Sequence, residues 1–536
     1  MAKRHSLYIQ SFFSIILAIG LLGCQDTPTS PSIDNFGDPG TGELGTFDAS
    51  RYVALGNSIT AGFLSGSLYE SGQFYSYPAI IARQAHGNGE VGSGTSKFQM
   101  PLVAEPGSPG RIELAGYTST GSPITSTNPN TTLTLKNSAL SRPYNNLAIP
   151  GIVMADAWGA FTASNSFSRS ALIDPVLRNP LLGNTSPVQQ ARAVLQPQTG
   201  NKLVTFWLGN NDVLGYATSG GVSPTAPTNV ATFNFALDSA LRVAKVDANT
   251  RIILGNIPDV TAIPFFTTIS ANFRTLLTIN RIDSVVYQRG PGPGANPAMG
   301  TPTWLRTRDV GVRGLVLLTG GTAIQQVGST ARTFARGYWA GILRAAISNI
   351  TTLPTNVQDS LILANLGINT GAPFGLSVSN PIPNQFILDD GELTIARTAV
   401  TNFNNAIRAQ VPSRADGLVD VNALFNGIVG AGGIWSDGEF LKTALGSGGL
   451  FTMDGVHPSP KAHGVVANEF IKVINRLFTA NIPLVRTRSI PDGIVRAGQG
   501  ASIPTLTIGE ESPIESFKNY NPETLKSTLE AVGGVQ

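Results

Sequence analysis

The chain has 536 residues, 42% of them hydrophobic, enough for a sizeable core in one large domain or several ordinary ones. Only 13% are charged, and 59 glycines and 35 prolines accompany many Ser, Thr and Asn, which points to the long neutral loops of an exported protein. The formal net charge of +3 leaves no phosphate-seeking surface and excludes nucleic acid as a partner.

Lys3 and Arg4 precede an apolar run from Phe12 to Leu22, the layout of an export signal. The run is shorter than the ~20 residues that cross a bilayer, and it stops at Gly23-Cys24, the single cysteine of the chain. Leu21-Leu22-Gly23-Cys24 resembles the lipobox of bacterial lipoproteins, which implies removal of residues 1–23, lipidation of Cys24 and a membrane anchor through that lipid. Removal of the signal takes two of 36 basic residues and none of the 33 acidic ones, leaving a charge of +1. Gln25 after Cys24 favours the outer membrane of a double-membrane bacterium, with an extracytoplasmic protein. A lone cysteine forms no internal disulfide, so stability rests on packing. Residues 24–47, rich in Pro, Thr, Ser, Gly and Asp, read as a flexible tether.

The folded part is expected from Asp48 to about residue 480. Short continuous apolar runs occur at Tyr52 to Leu55, Asn146 to Ile149, Leu203 to Leu208, Arg251 to Leu254 and Leu418 to Val421. Continuous rather than alternating runs are the mark of strands buried on both faces. Helical patterns lie among them at "YPAIIARQA", "SPVQQARAVL", "FNFALDSALRVAK" and "LTIARTAVTNFNNAIRAQV". The alternation predicts an α/β fold with a parallel five-stranded sheet covered on both sides. Residues 87–142 and 265–385 break the rhythm and are expected to be large ordered insertions. The tail, 481–536, is polar and expected to be only partly ordered.

In such a sheet, ligands bind beyond the C-terminal strand ends. Gly56-Asn57-Ser58-Ile59 follows the first strand, Pro150-Gly151 the second and Gly209-Asn210-Asn211-Asp212 the third; Asp454-Gly455-Val456-His457 stands before a terminal helix. Together and in this order these blocks resemble those of the GDSL, or SGNH, hydrolases, with Asn57 where that family most often has aspartate. The resemblance covers about residues 50–265 and 390–478. It implies a three-layer α/β/α flavodoxin-like core and a serine hydrolase acting on carboxylic esters. Ser58 is then the nucleophile, His457 its base and Asp454 the residue that orients the imidazole. The oxyanion donors are the N–H groups of Ser58 and Gly151 and the side-chain amide of Asn211.

Each residue also has a structural reading. Ser58 between strand and helix is a natural N-cap, and we expect it to be both cap and nucleophile. Gly151 is a turn glycine, Asn211 and Asp212 hold their own loop, and Asp454-Gly455 is a turn leading into a helix. Asp389, Asp390 and Glu392 are expected to be capping charges rather than metal ligands. There is no Gly-any-Ser-any-Gly elbow and no P-loop. No metal or cofactor is required by the chemistry. The alternatives are a polysaccharide O-acetyl esterase with the same chemistry, read from an aromatic groove instead of an apolar funnel under an insertion, and a non-catalytic surface-binding lipoprotein.

Overall fold

The structure, a computed structural model, describes residues 44–497 apart from 87–90, 93–94, 118–122, 130–131, 179–181, 223–225, 291–299, 345–351 and 447–448. The signal, Cys24, most of the tether and residues 498–536 lie outside the described residues. Among the described residues no helix is long and apolar enough to cross a membrane.

A parallel four-stranded sheet lies at the centre. Strands β1 (Tyr52–Gly56), β2 (Lys202–Trp207), β3 (Thr250–Gly255) and β4 (Gly417–Val419) are neighbours in that order, with Tyr52 opposite Leu203, Val204 opposite Ile252 and Gly417 opposite Ile253. The strands read as unbroken apolar runs because both faces are covered. Val53, Leu55, Val204, Phe206, Ile252 and Leu254 enter one core. Tyr52, Ala54, Leu203 and Ile253 enter the other. Successive side chains of a strand point to opposite faces, so one run feeds two cores.

The helices follow as the apolar spacing requires: α1 (Ser58–Ala61), α2 (Tyr77–His86), α3 (Met154–Gly159), α4 (Pro187–Leu195), α5 (Asn211–Thr218), α6 (Val230–Ala244), α7 (Pro264–Ile279), α8 (Asp390–Ala409), α9 (Val421–Ala431) and α10 (Pro460–Phe478). Residues of α3, α4, α6 and α8 fill the first core, and residues of α2 and α10 fill the second.

Two strand expectations change. The segment from Asn146 to Ile149 is not a full strand: Asn146 makes a single parallel bridge with Ala54. Backbone bonds from Leu147 and Ile149 reach Ala54 and Gly56 at 2.9 and 3.1 Å. Side chains replace the rest of a ladder, with Asn145 Nδ2 donating to Tyr52 O at 2.8 Å and Asn146 Nδ2 to Thr60 O at 2.9 Å. The last strand stops at Val419, because the Asp420 carboxylate accepts from Ala423 N at 2.9 Å and starts α9 at Val421.

Both insertions carry ordered structure. In the first, Ile112–Tyr117 pairs antiparallel with Pro123–Thr127. Arg111, with no exposed surface, lies between Glu105 at 2.8 Å and Glu113 at 2.9 Å. In the second, Ser284–Arg289 pairs antiparallel with Thr301–Arg306, and Gly314–Val316 with Ile387–Asp389. This stretch has a core of its own, including Phe273, Val285, Ala335 and Phe374. The tail is tied down as far as Arg496, where Ala497 N donates to Leu114 O at 2.9 Å.

Candidate active site

The chain leaves β1 through Gly56, where an added Cβ would sit 1.9 Å from Thr60 Oγ1, so only glycine allows so tight a start to α1. Asn57, not Ser58, caps this helix: its Oδ1 accepts from Ile59 N at 3.2 Å, and Ser58 is the first helical residue. The expectation of a serine serving as cap and nucleophile is corrected in this respect. The physical consequence favours chemistry, since a capping hydroxyl would be committed to the backbone whereas that of Ser58 is free to meet His457. With four residues, α1 is too short for a large macrodipole.

Ser58 Oγ lies 2.9 Å from His457 Nε2, and His457 Nδ1 lies 2.8 Å from Asp454 Oδ2. The three are 3%, 2% and 3% exposed, so the array is shielded from bulk water. Asp454 is heavily solvated by protein donors. Its Oδ1 accepts from Val456 N and His457 N at 2.9 Å each and from Thr452 Oγ1 at 3.0 Å, and its Oδ2 accepts from Gly66 N at 2.8 Å. Burial pushes the carboxyl up, but the His457 charge and these hydrogen bonds outweigh it and hold the pKa at about 2. An ionised carboxylate can only accept, so Nδ1 carries the imidazole proton and Nε2 is left to accept from the serine hydroxyl. Phe63 packs on the imidazole, ring centroids 4.9 Å apart.

The helix lead-in expected of this block is present. Ser459 caps α10 by accepting from Ala462 N at 3.2 Å, with Pro460 in the first turn. Gly455 has φ +70°, and its carbonyl accepts from Phe265 N, at the start of α7, at 2.9 Å. The second insertion thus leans on the turn that presents His457.

Gly151 has φ +85°, a left-handed conformation that glycine adopts without strain. Among the described residues, the N–H groups of Ser58 and Gly151 donate to no protein acceptor. Asn211 Nδ2 uses one hydrogen on Ile152 O at 3.0 Å, which leaves the second for a ligand. The bond locks the Asn211 amide to the loop that carries Gly151. Asp212 Oδ2 accepts from Met154 N at 2.9 Å, so it holds that neighbouring loop rather than its own. Ser170 Oγ donates to Pro150 O at 2.6 Å, and Asp156 takes Phe167 N at 2.7 Å. Gly151 and Asn211 therefore sit on one braced unit. Burial pushes the Asp212 carboxyl up to about 7, with the Asp156 charge adding to it against the Met154 N–H.

Gly66, Thr452 and Phe63 did not emerge from the sequence. The one local signal is Ser65-Gly66, whose φ values of 49° and 77° mark a turn aimed at the carboxylate. Ile112 N donates to Ser65 O at 2.8 Å, so the first insertion braces this turn.

Of the other titratable groups, His86 accepts from Ala49 N at 3.0 Å. His463 is fully buried in α10, and burial, aided by the His457 charge, takes its pKa down to about 3. Asp389 and Glu392 form a capping box on α8: Asp389 accepts from Gly391 N and Glu392 N, and Glu392 accepts from Asp389 N at 2.8 Å. Among the described residues no group of three or more His, Cys, Asp or Glu is placed to hold a metal ion.

An apolar crevice of about 100 Å³ is lined by residues of α9, of the first turns of α10 and of the loops before them. Its lining includes Ile59, next to Ser58 in sequence, and Val456 and Pro458, either side of His457, but not Ser58, His457, Gly151 or Asn211 themselves. Neither insertion supplies a lining residue to this crevice. No protein-family model matches the chain, and no curated protein matches it in sequence.

Proposed function

We propose that the protein is a serine hydrolase of carboxylic esters, of the GDSL/SGNH type with a flavodoxin-like core, held outside the cytoplasm by a lipid on Cys24. In the core so read, the Asn146 segment stands as the fifth, edge strand beside β1. The observation that carries the reading is the continuous pair of short contacts, Ser58 Oγ to His457 Nε2 and His457 Nδ1 to Asp454 Oδ2.

In the proposed reaction Ser58 Oγ attacks the ester carbonyl while His457 Nε2 takes its proton. The tetrahedral oxyanion receives hydrogen bonds from Ser58 N, Gly151 N and the spare Asn211 amide hydrogen, each worth about 2.7–4 kcal/mol of barrier in comparable sites. Asp454 stabilises the imidazolium as it forms. His457 returns the proton to the leaving alcohol, and water, deprotonated by the same imidazole, then cleaves the acyl-enzyme.

A glycan-directed esterase has one observation in its favour. Trp158 and Phe235, 41% and 62% exposed, meet edge to face at 5.4 Å and offer an aromatic surface for a sugar ring. They lie on α3 and α6. The test is hydrolysis of a simple aryl acetate by the purified protein. Activity should disappear in Ser58→Ala and His457→Ala; undiminished turnover in either variant would remove the mechanism and leave the surface-binding alternative.

A further inference from the structure

The Asp454 carboxylate is held by two separate stretches of the chain. From its own stretch, Oδ1 accepts from Val456 N and His457 N at 2.9 Å each and from the Thr452 hydroxyl at 3.0 Å. From the turn after α1, Gly66 N donates to Oδ2 at 2.8 Å, beside His457 Nδ1 at 2.8 Å. A carboxylate offers about four lone-pair sites, so these donors saturate it and fix the plane of its oxygens. Thr452 ties the two stretches together. Its Oγ1 accepts from Ser65 N at 3.1 Å, so its single hydrogen must go to an acceptor, and Asp454 Oδ1 at 3.0 Å and His457 O at 3.2 Å are within reach. Thr452 is 4% exposed and Ser65 1%, which keeps the hydroxyl away from bulk water. Ser65 is gripped in turn: its carbonyl accepts from Ile112 N at 2.8 Å and its hydroxyl from Met453 N at 3.4 Å.

Resting on the proposed serine chemistry, we infer that Thr452 is a positioning residue for the base: locked by Ser65 N, its hydroxyl fixes the Asp454 carboxylate and sets how firmly that carboxylate holds the His457 imidazolium. Thr452 touches no reacting atom and acts through Asp454. A hydrogen bond to an ionised carboxylate spreads its charge, and so weakens its hold on a neighbouring cation. Without the Thr452 donor, Oδ1 keeps only the Val456 and His457 N–H groups, more charge remains for Oδ2, and the imidazolium is favoured. The titration midpoint of His457 then moves up, and more of the base is protonated and idle near neutral pH. The other ionisable groups around the pair are Arg111 with Glu105 and Glu113, Tyr69 beneath the Arg111 guanidinium, and His463 on α10. A change at Thr452 leaves all of them in place.

Thr452→Val keeps the shape of the side chain and removes the hydroxyl, and Thr452→Ser keeps the hydroxyl. In Thr452→Val the acid limb of the kcat/KM profile for an aryl acetate should move up by about half a pH unit to one unit, with kcat on the alkaline plateau about tenfold lower and KM within about twofold. Thr452→Ser should return the limb to the position of the parent. A purely structural role would lower the amount of folded enzyme without moving the limb, and thermal unfolding measures that loss separately. A second readout needs no turnover. The His457 ring signals of Ser58→Ala, followed by NMR against pH, should show a midpoint raised by the same amount when Thr452→Val is added. If Ser58→Ala stays active while that midpoint moves, the serine chemistry fails and the hold of Thr452 on the Asp454–His457 pair stands. A limb and a midpoint unmoved in folded Thr452→Val, or a Thr452→Ser variant as impaired as Thr452→Val, would overturn the assignment.

Discussion

The sheet framework and the second insertion are built on different principles. In the framework each strand runs parallel to its neighbour and feeds two cores, so its ends lie together at one edge, where Ser58 and Asn211 follow β1 and β2. In the insertion the strands pair antiparallel, Ser284–Arg289 with Thr301–Arg306 as near neighbours and Gly314–Val316 with the more distant Ile387–Asp389, and a separate cluster forms around Phe273, Val285 and Phe374. Parallel strands bring distant segments to one place and so can assemble a site from residues hundreds of positions apart. Antiparallel hairpins bring near neighbours together and build a prop. The two regions meet at the bond from Phe265 N to Gly455 O, which braces the histidine turn, and in the first core, which Leu315 and Leu317 of the insertion enter.

Substitutions in the two regions should therefore fail in different ways. The largest effect is expected from Asp454→Asn in the framework site, a fall of about 10⁴-fold in kcat, because the imidazole loses the acceptor that fixes its tautomer. Steady-state kinetics measures it, and a change under tenfold would break the assignment of Asp454. Phe273→Ala empties the insertion's cluster and should cost about 3–5 kcal/mol of that region's stability, with kcat within a few-fold of the parent. Hydrogen exchange beside kinetics separates these, and a fall in kcat comparable to that of Asp454→Asn would make the insertion part of the catalytic unit.

A smaller and pH-dependent effect is expected at Asp212. Its folded carboxyl titrates at about 7 against 3.8 for the ordinary side chain. The unfolded chain therefore releases this proton first, and the native state loses stability as pH rises from about 4 to about 7. Asp212→Asn removes that slope, so its stability relative to the parent should improve through this window by denaturant titration. Asp454 has the opposite sign, with stability present above about pH 4 and lost as pH falls through about 2. The smallest effect is expected at Asn57: alanine should lose about 1 kcal/mol of helix capping, and aspartate, an equal cap, should lose little of it. A large gain in kcat for Asn57→Asp would show that the position acts on the chemistry and not only on the helix start.

The framework was legible because its strands are buried on both faces, and that leaves unbroken apolar runs such as Tyr52 to Leu55. The four blocks were legible because each stands just past such a run or just before a helix with a Ser-Pro start. The choice of cap was not, since Asn57 and Ser58 are both good capping residues and only the backbone decides which one is spent. Nor were Gly66 and Thr452. Gly66 reaches Asp454 across 388 positions through a backbone N–H, which carries no residue-type signature. The crevice was equally hidden, because Ile59, Leu424 and Val465 look like ordinary core residues until the fold leaves a gap among them.

The most direct test of the central claim is the mass of the intact protein after exposure to a fluorophosphonate, followed by peptide mapping. One covalent adduct is expected, on Ser58, absent from Ser58→Ala and strongly slowed in His457→Ala. An unmodified Ser58 in a folded protein, or an adduct that forms as fast without His457, would contradict it.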